Sequence, residues 1–151
     1  GVVRFMQRNI QQFARVYEND ALEARVLGAN PAELVEMLYA GAIDAISAAV
    51  LAIEVGDYAR KSACLSKALD IVSGLDVTLD HTRGGEISAN LAALYDYVKR
   101  RLMDAATTND REKLREVIHL LDTVREAWDE LGRQQRAGGR GLGSSHGAIT
   151  V

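Results

Sequence analysis

The chain is poor in the residues that staple, break or stack a fold. Among 151 residues there are one cysteine, one proline, one tryptophan and two phenylalanines. A single cysteine, Cys64, excludes an internal disulfide and fits a reducing compartment. It sits in a helical run beside Leu65 and Ala68, with no histidine or cation in its segment to activate it, so we read it as a small packing residue. The lone proline, Pro31, leaves all that follows open to long helices. With 5% aromatic and 48% hydrophobic residues, the core must be aliphatic and rich in alanine. No excess of positive charge exists either. The net charge of −3 argues against nucleic acid as the main partner, since phosphate contacts need clustered Lys and Arg.

What is present is helical punctuation. Asn30-Pro31-Ala32-Glu33 supplies a cap, a proline at the first helical position and a glutamate that can reach back as in a capping box. A first helix is predicted from there to about Val55, stopping at Gly56. Asp57 caps a second, with Leu65, Ala68, Val72, Leu75 and Leu79 at 3-4-3-4 spacing. His81–Gly85 breaks it. A third runs from about Glu86 to Ala106, with Ile87, Leu91, Leu94, Val98, Leu102 and Ala105 on one side. Thr108 or Asn109 caps a fourth, striped by Leu114, Val117, Leu121, Val124, Trp128 and Leu131. Helices of ~22–25 residues joined by short connections must run antiparallel, so an all-α, up-down four-helix bundle is expected. We place the bundle at residues 30–131. Residues 1–29 read as an arm, with a short amphipathic helix through Ile10, Phe13, Val16, Tyr17 and Ala21. Residues 132–151 are rich in Gly and Ser, carry Arg133, Arg136 and Arg140 without an acid, and read as a disordered tail.

Met37–Ile53 is apolar on almost every side, with Asp44 its only charge. Tyr39, Ile43, Ile46, Val50 and Ile53 form a seam of large side chains. Leu38, Ala42, Ala45, Ala49 and Ala52 form a second, mostly small one. A bundle helix needs one apolar stripe, so the surplus predicts burial against another chain. A membrane span is rejected: Asp44 near its centre would cost about 2.5–3.5 kcal/mol, and no Lys or Arg lies between Arg25 and Arg60 to anchor the ends. Polar residues from Gln7 to Gln12 interrupt any signal-peptide core, so a cytoplasmic protein is expected.

No catalytic constellation is legible. Glu116 and His119 have the Glu-x-x-His spacing of di-iron bundles, but a second such motif is missing. His119 also lacks the lysine and small residues that surround a phosphotransfer histidine. Gly84-Gly85 lacks the Lys-Ser/Thr of a phosphate loop. We expect no enzyme activity, no metal and no cofactor. The rival readings are a phosphorelay or metal bundle using His119, and a self-assembling bundle pairing its surplus seam with a second copy.

Specific strings point further. Gly84-Gly85-Glu86-Ile87-Ser88-Ala89-Asn90-Leu91, then Leu94-Tyr95-Asp96-Tyr97-Val98 and Arg101-Leu102, closely resemble the FliS family of cytoplasmic export chaperones of flagellin. Pro31–Leu34 with Met37-Leu38-Tyr39 and Gly41-Ala42, Gly56-Asp57 with Leu65–Ala68 and Ile71, and Ala127-Trp128 agree in order and spacing. The resemblance implies a bundle that holds the disordered C-terminal region of flagellin in apolar grooves, prevents premature polymerisation and delivers it to the export gate protein FlhA. A co-chaperone or assembly regulator is a further possible partner. Tyr17, fourteen residues before Pro31, falls where the family carries an N-terminal tyrosine linked to the flagellin pocket and gate docking. The candidate partner-binding residues are Phe13, Val16 and Tyr17 on the arm and Leu38, Ala42, Ala45, Ala49 and Ala52 on the first helix. Leu65, Leu69 and Val72 on the second helix, and Asn90 and Tyr95 on the third, complete the set.

Overall fold

The computed structural model describes residues 30–141. These form four helices, α1 (Pro31–Glu54), α2 (Tyr58–Val77), α3 (His81–Thr108) and α4 (Arg111–Gly141), with no strand among the described residues. α1 packs against α2 and α4, and α3 against the same two, so α1 and α3 face each other across the diagonal of a four-helix bundle. Polar contacts fix the antiparallel sense. At the start of α1, Asn30 Nδ2 donates to the Gly132 carbonyl at 3.0 Å; at its end Glu54 pairs with Arg111 at 3.4 Å.

The caps explain where the helices begin. The Asn30 side chain accepts from the Glu33 N–H, and the Glu33 carboxylate accepts from the Asn30 N–H, each at 3.0 Å. Asp57 caps α2 by accepting from the Arg60 N–H. α4 departs from expectation, because its cap is Asp110, which accepts from the Glu112 and Lys113 N–H groups. Asn109 instead takes a left-handed conformation, φ 56°, and its side chain accepts from Lys61. α3 starts earlier than expected. His81–Gly84 form a first turn, and the true bend is Gly85, whose φ of 51° and ψ of −123° are open only to glycine.

The expected tail also starts too early. α4 continues as helix through Gly141. Gly132, read as the first tail residue, is buried against the α1 cap: a Cβ there would stand 2.7 Å from Glu33 Cγ. Arg136, one turn on, pairs with Glu33. Burial works to raise the Glu33 carboxyl, but Arg136 and the Asn30 N–H outweigh it and hold it below the ordinary carboxylate value. A low-complexity composition therefore became helix where two polar anchors and a close approach reward it.

The core is aliphatic, with one polar lock. Tyr39 of α1 and Tyr95 of α3, both fully buried, share a 2.7 Å hydrogen bond between hydroxyls across the diagonal. Trp128 is buried beside the α4 stripe of Leu114, Val117 and Leu121, as expected. On α3 the inward set is Ser88, Tyr95, Val98, Leu102 and Ala105, whereas Ile87 is half exposed.

Candidate partner-docking groove

Three sides of the bundle are stitched by polar contacts, and one is not. Between α1 and α4, Glu36 pairs with Arg125 at 2.8 Å, Glu54 with Arg111 and Arg115, and Glu33 with Arg136. Between α3 and α4, Arg101 pairs with Glu116 at 3.3 Å and Asp104 with Lys113. Between α2 and α3, Asp76 pairs with Lys99 at 3.3 Å. At the other end of that side Lys61 Nζ donates to the Ala106 carbonyl at 2.9 Å and to Asn109 Oδ1 at 2.6 Å. Between α1 and α2, apart from the connecting turn, where the Asp57 N–H donates to the Ala52 carbonyl at 2.8 Å, no hydrogen bond or ion pair joins the two helices among the described residues. Asp44 on α1 and Lys67 on α2 line this side without an ion-pair partner there.

This unstitched side holds a cleft of about 570 Å³. α1 contributes Leu34, Met37, Leu38, Gly41, Asp44, Ala45 and Ala48; α2 contributes Ala63, Cys64, Lys67 and Ile71. Leu34, Met37, Gly41, Asp44, Ala48, Leu51 and Val55 repeat at 3-4-3-4-3-4 and so share one face of α1. Its far end is bare, with Leu51 63% and Val55 79% exposed. From Leu34 to Val55 the face is about 32 Å long at 1.5 Å per residue. It is an apolar strip interrupted by a glycine and one carboxylate, a shape that receives a helix.

The two seams read from the sequence are not this strip. Ala42, Ala49 and Ala52 are buried inside the bundle, as are Tyr39, Ile46 and Val50 of the larger seam. α1 has α2 and α4 as neighbours and α3 opposite, so most of both seams is consumed within the chain. On α2, Leu65 and Val72 are likewise core, and Leu69 is half-buried against it. Tyr95 is core, held by Tyr39. As surface contacts for a partner, Ala42, Ala49, Ala52, Leu65, Val72 and Tyr95 are therefore corrected: the protein's own packing covers them. Leu38 and Ala45 do line the cleft, mostly buried. Asn90 is exposed on α3, away from the cleft-lining residues. Phe13, Val16 and Tyr17 lie outside the described residues. The third strip escaped the sequence reading because Gly41, Asp44 and Ala48 disguise it. A search for three apolar faces on one helix would have found it.

The Glu-x-x-His pair is otherwise engaged. Glu116 accepts from the Tyr97 hydroxyl and from Arg101, while His119 is exposed. No group of three or more metal-ligating side chains is assembled among the described residues. α1 is long and apolar enough to cross a membrane by length and composition. Its placement between α2 and α4 accounts for part of that apolarity as core, and the outward strip for the rest.

Comparison with known proteins gives one answer. The profile of the family described as "Flagellar protein FliS" matches residues 13–135. The chain is similar to the flagellar secretion chaperone FliS of Salmonella typhimurium, 42% identical over 118 residues, covering 78% of this chain and 87% of that protein. It is 40% identical over 115 residues to FliS of Bacillus subtilis, covering 76% and 85%. It is 39% identical over 113 residues to FliSB of Pseudomonas aeruginosa, covering 75% and 90%.

Proposed function

Because this chain belongs to the FliS family of flagellar secretion chaperones, we propose that it holds the C-terminal segment of flagellin as helix along the α1–α2 groove. Binding keeps that segment from polymerising in the cytoplasm and presents it to the export gate protein FlhA. A co-chaperone or assembly regulator would meet other faces of the bundle. The role is non-enzymatic and needs no cofactor. The observation that carries the reading is the α1–α2 side itself, which has a cleft, an outward apolar strip and, among the described residues, no polar stitching along the cleft.

The physics suits a temporary guest. An amphipathic segment that finds its permanent partners only in a filament would self-associate if left bare. A groove covers its apolar face, while ordering the segment costs ~2–5 kcal/mol, which holds the affinity down for the area buried. Since about 1.4 kcal/mol is tenfold in affinity, that cost alone weakens binding by roughly one to three orders of magnitude.

Calorimetric titration with the last ~50 residues of flagellin should show a negative heat-capacity change and gained helicity. Met37→Glu, which puts a second carboxylate beside Asp44 in the strip, should abolish the signal without unfolding the bundle. Silence from the wild type into the tens of micromolar removes the proposal. We extend it to Phe13, Val16 and Tyr17 on sequence grounds alone. Tyr17→Ala should spare flagellin binding and lose export if that residue serves the gate.

A further inference from the structure

Gly41 lies in the middle of the groove wall, with Leu34 and Met37 on one side and Asp44 and Ala48 on the other. A glycine inside a helix destabilises it relative to alanine. At Gly85 and Gly132 the structure shows a reason. Gly85 needs its positive φ, and Gly132 has Glu33 Cγ 2.7 Å from where a Cβ would be. At Gly41 neither reason applies. Its φ is that of ordinary helix, and the nearest atom to an added Cβ is Ile71 Cδ1 at 3.7 Å, an ordinary contact. The bundle would accept alanine and gain from it. What alanine would obstruct is the open space of the groove.

We propose that Gly41 is the crossing point of the docked helix. It is a specificity-determining residue that selects a guest carrying a small side chain (Gly, Ala or Ser) at closest approach. Helix axes come nearer than the usual 8–10 Å only where both surfaces are small. The charges on the groove complete the description of the guest. Among the described residues Asp44, three residues beyond Gly41, has no ion-pair partner, and neither has Lys67 on the α2 wall. The guest helix therefore carries a cation flanking its small residue on the α1 side and an anion on the α2 side. This inference rests on the groove reading above, and its occupant is the same flagellin C-terminal segment.

The test is a pair of variants in the full chain, titrated with that segment. Gly41→Ala is expected to raise the melting temperature by roughly 3–6 °C and to weaken binding at least tenfold. Thr123→Ala is the control. Thr123 is exposed on α4 and its hydroxyl bonds back to the His119 carbonyl, so alanine there should also stabilise the helix while leaving binding unchanged. Gly41→Ala binding within twofold of wild type overturns the crossing-point assignment and leaves the groove reading standing. A lowered melting temperature also overturns it, since the fold would then need the glycine. A wild type that fails to bind overturns the groove reading and this inference with it.

Discussion

Substituting Tyr39 and Tyr95 by phenylalanine, singly and together, interrogates the contact that spans the bundle diagonal. The hydroxyls are 2.7 Å apart, the rings 6.2 Å between centroids and tilted by 59°, and both residues are fully buried. Tyr39→Phe strands the Tyr95 hydroxyl, and an unsatisfied buried hydroxyl costs about 1–3 kcal/mol. Tyr95→Phe strands the Tyr39 hydroxyl in the same way and should fall in the same range. The double variant removes both polar groups and leaves two packed rings. Its loss should be close to that of one single variant, giving a coupling of about 1–2 kcal/mol. Urea denaturation at constant m-value measures all three. Losses that simply add within about 0.5 kcal/mol would refute the hydroxyl pair. Flagellin binding should be unchanged in Tyr95→Phe, since that side chain faces the core and not the groove.

Other consequences follow from the same geometry. Burial pushes the Tyr39 hydroxyl up to about 12, against partial compensation by Tyr95 and Trp128. An unfolded tyrosine loses its proton near pH 10, so the folded state holds more protons between pH 10 and 12. Stability from this group is therefore complete below pH 10 and about 2 kcal/mol is lost by pH 12; in alkaline melts Tyr39→Phe should flatten that decline. Lys61→Met removes both donor contacts at the end of α3 and should cost about 2–3 kcal/mol by chemical denaturation. Gly85→Ala should cost about 1–3 kcal/mol through backbone strain alone, since no atom lies within 4 Å of an added Cβ; an unchanged melting temperature would refute the strain.

The helical plan was legible because its signals are local. The capping box at Asn30, the cap at Asp57 and the α4 stripe through Trp128 each depend on residues within a few positions of one another. What escaped is long-range. Whether Ala42 or Ala49 faces a guest or a neighbouring helix depends on how many helices surround α1, which periodicity does not encode. Gly132 looked like the start of a tail because its contact, the α1 cap, lies about a hundred residues away. Asn109 was misread as a cap because its side chain is claimed by Lys61 from another helix. The groove itself was hidden by one glycine and one carboxylate in an otherwise apolar strip.

Cys64, the chain's single thiol, lines the groove on its α2 wall. Its alkylation rate, followed with and without saturating flagellin C-terminal segment, reports directly on whether that wall is covered. The account predicts that the bound segment slows labelling at least tenfold, and that Met37→Glu restores the free rate. A bound segment that leaves the Cys64 rate unchanged would place the guest elsewhere on the bundle and contradict the assignment.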